Sequence, residues 1–168
     1  FDFGGNALPS MVVLNEPTPN LVTNPSFEVD GYTNTPTDWN VWLQSGVPST
    51  TIKTETGYAF DGDYKLTFWN SANYSASVYR TFTGLENGTY TFSVWAMTNG
   101  DQDTLQLYAK NYGGPELTTT IDTSDINWNI FTIDNIEVTN GTCEIGIYTV
   151  AGANDWVNLD HVNFRKVE

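Results

Sequence analysis

Thr89-Tyr-Thr-Phe-Ser-Val-Trp-Ala-Met97 is the stretch on which the fold turns. Tyr90, Phe92, Val94 and Ala96 alternate there with Thr91, Ser93, Trp95 and Met97, and only an extended chain sends successive side chains to opposite faces. The first set is expected on a core face and the second outside it. Two more stretches repeat the pattern: Leu105, Leu107 and Ala109 against Gln106, Tyr108 and Lys110, and Cys143, Ile145 and Ile147 against Glu144, Gly146 and Tyr148. Strand-like runs also lie near 50–54, 64–69, 77–83, 128–138 and 156–165, whereas apolar residues seldom recur at helical spacing. Asn87-Gly88, Asn99-Gly100 and Asn140-Gly141 fall between such runs, where Asn-Gly favours a tight strand turn. Many short strands with regular turns predict an all-β fold, a β-sandwich of two antiparallel sheets.

The chain of 168 residues suffices for one domain with a sizeable core, and is too short for a (β/α)₈ barrel, which typically needs about 250. Six Lys plus Arg against twenty Asp plus Glu give a net charge of -14, so nucleic acid and anionic membranes are excluded as electrostatic partners. The acidity is spread through an aromatic-rich chain, which argues against a disordered acidic tail. A single cysteine, Cys143, forms no internal disulfide and supplies no cysteine metal site. Neither a membrane span nor a leader peptide is expected, and the chain reads as a piece of something longer. The proline-containing Glu16-Pro17-Thr18-Pro19-Asn20 marks a boundary, with residues 1–19 as a tail and linker and 20–168 as the domain. Phe1 to Leu14 is more apolar than a linker should be, as though built to pack against a neighbour.

Few motifs suggest catalysis. With twenty carboxylates, pairs such as Asp61 and Asp63 arise by chance, no Gly-x-Ser-x-Gly elbow accompanies the lone His161, and no phosphate-binding glycine loop is present. His161 reads as a strand residue and Cys143 as a small buried hydrophobe. Glu28 and Asp160, near opposite ends of the domain, would meet if the first and last strands are neighbours. Two carboxylates brought together need a cation, and an oxygen-only site suits Ca²⁺; two separately solvated charges are the simpler alternative. Trp95, Gln106, Tyr108, Lys110 and Tyr148 share the outward parity, so their aromatic rings are either covered by a loop as a second small core or exposed to stack on a ligand. A sugar would suit such a surface, because a pyranose lays a face of C–H bonds on an aromatic ring while amides and ammonium groups bond its hydroxyls. Galactose, with an axial O4, has one especially apolar face. Asn111, Asn158 and Arg80 extend the candidate hydrogen-bonding set, and Tyr112 and Trp156 the aromatic one. Trp39, Trp42 and Trp69 are assigned mostly to the core or its rim.

Asn20-Leu-Val-Thr-Asn-Pro-Ser-Phe-Glu28, Gly84-Leu-Glu-Asn-Gly-Thr-Tyr-Thr-Phe-Ser-Val-Trp95 and Val157-Asn-Leu-Asp-His-Val162 resemble jelly-roll carbohydrate-binding modules over about residues 20–168. Tyr108-Ala-Lys-Asn-Tyr-Gly-Gly114 and, above all, Phe1-Asp-Phe-Gly-Gly-Asn-Ala-Leu-Pro-Ser10 narrow this. The latter looks like the closing segment of a family 53 endo-β-1,4-galactanase, and the module that follows such an enzyme is typically of carbohydrate-binding family 61. The resemblance implies a secreted, non-catalytic, monomeric module that recognises β-1,4-galactan and is covalently joined to a galactanase. It also implies a structural Ca²⁺ held by Glu28 and Asp160, with backbone carbonyls of Ser26 and Lys65; the closing strand departs from the usual pattern in having His161 where a second acidic residue often stands. A sandwich that makes protein contacts as an adhesion or spacer domain is the competing expectation, as is a module for another neutral β-glycan such as xylan or glucan.

Overall fold

The computed structural model describes residues 18–123 and 126–167. The described residues form ten strands: β1 (Asn40–Leu43), β2 (Ile52–Thr56), β3 (Tyr64–Trp69), β4 (Tyr74–Thr83), β5 (Gly88–Thr98), β6 (Thr104–Lys110), β7 (Leu117–Thr120), β8 (Asn129–Val138), β9 (Thr142–Ala151) and β10 (Trp156–Lys166). They form two five-stranded sheets, a front sheet ordered β1-β4-β9-β6-β7 and a back sheet ordered β2-β3-β10-β5-β8. Every pairing is antiparallel. The all-β sandwich expected from the alternation is therefore the fold observed.

The alternating residues do what their period predicts. Tyr90, Phe92, Val94 and Ala96 of the back sheet and Leu105, Leu107, Ala109, Cys143, Ile145 and Ile147 of the front sheet are all buried between the layers. Phe27, Phe68, Phe92 and Phe164 are fully enclosed, each contributing about 2–3 kcal/mol through area removed from water. Cys143 belongs to this core, and burial pushes its thiol up to about 12. Trp39 is also inside, packed on Phe27 with its indole N–H donating to the Asn24 carbonyl.

β1 and β7 were not anticipated, and β4 starts three residues earlier than expected. Each of the two unexpected strands has only four residues and too few apolar side chains to show a period. Most of the predicted tail, and Glu16 and Pro17 of the proline boundary, fall in residues 1–17, outside the described residues. From Asn20 onward the chain runs beside β10: Leu21 donates to the Phe164 carbonyl, and Val162 donates to the Pro25 carbonyl. This second contact exists because β10 bulges between Asp160 and Asn163, releasing Val162 from its partner β5. His161, at the bulge, adopts a φ of +47°.

Candidate functional site

On the outer surface of the front sheet, paired residues line up in rows because cross-strand partners share a face. One row runs Trp42, Ser77, Tyr148 and Gln106; the next runs Tyr79, Gly146 and Tyr108; the third sets Glu144 beside Lys110. With Glu116, just before β7, these side chains line a groove of about 530 Å³. Trp42 and Tyr148 stand side by side, ring centroids 6.2 Å apart and tilted by 40°.

Gly146 gives the groove its floor. A Cβ there would come within 2.5 Å of the Tyr108 ring and hydroxyl, so the missing side chain is what lets that ring lie flat against β9. Tyr108 is consequently buried although it faces outward, and burial raises its phenol well above the usual value, keeping it a neutral donor and acceptor. Its hydroxyl donates to Glu144 Oε1 at 3.2 Å and lies 3.4 Å from Ser77 Oγ. Lys110 Nζ is 3.2 Å from the same carboxylate oxygen and 4.9 Å from the Tyr108 ring centroid. One side of the groove is thus aromatic and the other an anchored ion pair. Gly146→Ala is expected to cost about 1–3 kcal/mol of stability by forcing the ring outward, measurable by urea unfolding.

Of the ten residues singled out from the sequence, Gln106, Tyr108, Lys110 and Tyr148 line the groove. Asn111 stands at its end in a turn with φ +60°, its amide 3.5 Å from Glu144 Oε2 and its carbonyl accepting from Asn140 and Thr142. The other five do not join them. Tyr112 is buried in the core and donates its hydroxyl to the Pro115 carbonyl. Arg80 has core-side parity on β4; its guanidinium lies over Phe82 and donates to the carbonyl and hydroxyl of Thr23. Trp95, Trp156 and Asn158 belong to β5 and β10 of the back sheet, on the opposite side of the sandwich. Parity separates inside from outside but does not say which sheet a strand joins, so a single face cannot hold the whole set.

Trp42 is the main residue that the sequence reading misplaced. It is 46% exposed on the groove, not in the core. Val41 and Leu43 on either side pack against the core, an alternation that could have placed Trp42 outside despite the shortness of the strand. Trp69 is similarly exposed, on the back sheet. Glu116, Glu144, Ser77 and Tyr79 were also passed over; Glu144 carried the outward parity already assigned to its strand.

A second constellation forms where the chain's first segment meets β10. Glu28 Oε1 accepts the N–H groups of Asp63 and Tyr64 at 3.0 and 2.7 Å. Asp160 Oδ2 accepts those of Phe60 and Asp61 at 2.8 and 3.1 Å, and Oδ1 accepts that of His161 at 2.7 Å. The loop 60–64 therefore grips both carboxylates. Gly62, at φ +74°, makes this possible, since a Cβ there would fall 2.5 Å from Glu28 Oε1. Ser26 Oγ donates to Asp61 Oδ2 at 2.8 Å, and His161 Nδ1 lies 3.2 Å from the same oxygen. The Lys65 ammonium lies 3.5 Å from Glu55 Oε1 and 3.4 Å from the Thr56 carbonyl.

Asp160 is fully enclosed, and burial pushes its carboxyl up to about 6 although three N–H groups pull it down; the nearby Asp61 charge raises it further. Among the described residues no three His, Cys, Asp or Glu side chains are grouped as metal ligands, so a cation here would draw on backbone carbonyls as well. The donor chemistry fits a hard ion: two carboxylates held by one loop, with Asp160 fully enclosed.

No family model matches the chain. A 1,6-alpha-glucosyltransferase of Sporosarcina globispora is 29% identical over 153 residues, which cover 88% of this chain but 12% of that protein. The structure is similar to that of TmCBM61 in complex with β-1,4-galactotriose, with a TM-score of 0.76 and 22% identity over 89% of this chain and 100% of that one. It is also similar to the CBM22-1 xylan-binding domain of Xyn10C from Paenibacillus barcinonensis, with a TM-score of 0.56 and 13% identity over 85% and 92% of the two chains. The likeness is one of fold, an antiparallel β-sandwich.

Proposed function

We propose that this chain is a non-catalytic carbohydrate-binding module whose front groove takes β-1,4-galactan, working outside the cell to hold an appended galactanase at its substrate. The observation that carries the reading is the Trp42–Tyr148 pair, side by side in a row that Gln106 continues, in a groove whose other side is the Lys110–Glu144 pair. The two rings offer stacking faces for the apolar side of a pyranose, and the amide, ammonium and carboxylate bond its hydroxyls. Similarity in shape to a module solved with galactotriose supports galactan, as does the galactanase-like Phe1–Ser10 segment. Affinity in the micromolar to tens-of-micromolar range is expected, about -6 to -8 kcal/mol, because a shallow groove leaves sugar hydroxyls partly in water. Tethering then raises the local substrate concentration around the enzyme.

The relative that is a 1,6-alpha-glucosyltransferase favours a second reading, an α-linked glucan in the same groove. Affinity electrophoresis in gels of galactan, xylan, mannan and dextran separates the two. Retardation by galactan is expected; migration unchanged in galactan but slowed in dextran would replace the first reading with the second. A protein-contacting spacer would be retarded by none of them.

The reading extends to a structural Ca²⁺ held by the Glu28 and Asp160 carboxylates with carbonyls of Ser26 and Lys65. Bound there, the ion supplies positive charge to a buried carboxylate; the residues themselves fix loop 60–64 against β10. At a calcium concentration about 100 times its Kd, binding to the folded state alone adds about 2.7 kcal/mol, or roughly 5–10 °C in Tm. A chelator is expected to remove that increment while leaving sugar affinity of the still-folded protein within about twofold, since the groove is on the other sheet. Identical melting with chelator and with added calcium would refute the ion's role.

A further inference from the structure

The back sheet carries a hollow of about 300 Å³ that the front groove does not use, at the lower end of the ~300–1,000 Å³ typical of small-ligand sites. Trp69 and Trp156, cross-strand neighbours on β3 and β10, form one side, with Trp69 42% exposed. The adjacent row supplies Lys53, Thr67 and Asn158. Glu55 is 2.8 Å from Lys53 Nζ and 3.5 Å from Lys65 Nζ.

The polar row is joined by hydrogen bonds and opens onto the hollow. Thr67 Oγ1 lies 2.8 Å from both Glu55 Oε1 and Asn158 Oδ1, yet one hydroxyl proton serves one acceptor at a time. Asn158 is 7% exposed and lines the hollow, its side-chain amide hydrogen-bonded to Thr67 Oγ1. An amide and an ion-paired carboxylate thus line the hollow, within reach of the hydroxyl groups of a ligand placed there. The chemical recipe is that of the front groove: two aromatic rings, one amide and an ion-paired carboxylate.

We infer that this hollow is a second carbohydrate site, taking one or two residues of a neutral glycan. The inference rests on reading the front groove as a sugar site, from whose composition the ligand class is taken. Sheets of a sandwich are about 10 Å apart and their outer faces point in opposite directions, so a single short chain cannot fill both sites. Two-site occupancy therefore bridges separate polysaccharide chains.

The test follows the indole N–H resonances of the ¹⁵N-labelled protein during titration with β-1,4-galactotetraose and, separately, maltotetraose. With one of the two sugars, Trp42 is expected to move first and Trp69 and Trp156 at about tenfold higher concentration, the weaker response befitting the smaller hollow. In Tyr148→Ala the Trp42 response should weaken while the Trp69 and Trp156 responses persist; Trp69→Ala should abolish the Trp156 response and spare that of Trp42. Movement of Trp42 with Trp69 and Trp156 still would overturn the second site and leave the first standing. Movement of Trp69 and Trp156 alone would support the hollow and remove the groove. If no indole moves with either sugar, or if Trp69 and Trp156 respond only to protein concentration, the second site is wrong.

Discussion

Asp160→Ala is expected to lower the unfolding free energy by about 3 kcal/mol, which shifts Tm down by roughly 10 °C in a domain of this size. The carboxylate is fully enclosed and is the acceptor for three backbone N–H groups, those of Phe60, Asp61 and His161. Alanine leaves all three without that partner, at about 1–3 kcal/mol for each that stays buried, offset in part by no longer burying a charge. The damage spreads through the loop. Phe60 stacks on Trp95 with centroids 4.0 Å apart and planes at 15°, and touches Trp128 and His161 edge-on. Once released from Asp160, the loop no longer holds Phe60 over the Trp95 ring. Asp160→Asn keeps the shape and one acceptor oxygen, so about half the loss is expected. Both variants should also lose any rise in Tm on adding calcium. A thermal melt of Asp160→Ala within 2 °C of the parent would show that the loop is anchored elsewhere.

The same cluster shows where sequence reasoning succeeds and where it stops. Inward and outward faces of β5, β6 and β9 were legible because every second residue is buried over long stretches, with only Tyr108 and Gly146 buried on the outward parity. β1 and β7 were illegible because four residues barely complete two periods. The deeper gap is register. Trp95 and Tyr148 look equivalent in a local pattern, two aromatics at outward positions, but β5 pairs with β10 and β8 whereas β9 pairs with β4 and β6. Those pairings join residues far apart in sequence, and no window along the chain contains them. Trp95 accordingly became the floor of a loop-covered cluster while Tyr148 became a groove wall. The expectation for Glu28 and Asp160 rested on neighbouring first and last strands; β1 is in the other sheet from β10, and it is the segment before β1 that lies beside β10, through the Val162 to Pro25 hydrogen bond. That both would bind one loop at 60–64 was not open to inference, since nothing local in that loop announces its partners.

Trp42→Ala should weaken oligosaccharide binding by about 30-fold, equivalent to about 2 kcal/mol, while changing Tm by no more than a few degrees. The ring stands on edge strand β1, 46% exposed, with Tyr148 as its aromatic neighbour, so its removal opens no cavity in the core. What it removes is half of the stacking surface that a sugar would cover. Trp95→Ala should do the reverse: lose about 3 kcal/mol of stability, since Phe60 then stacks on nothing, and keep its affinity for the sugar in the front groove. Calorimetric titration and thermal melts of the two variants, measured with the same oligosaccharide, resolve stability from recognition because the residues occupy opposite sheets and share no partner. The crossed outcome, with affinity lost in Trp95→Ala and retained in Trp42→Ala, would move the binding surface to the back sheet. It would also require loop 60–64 to open before a sugar could reach the Trp95 ring, since Phe60 already covers it.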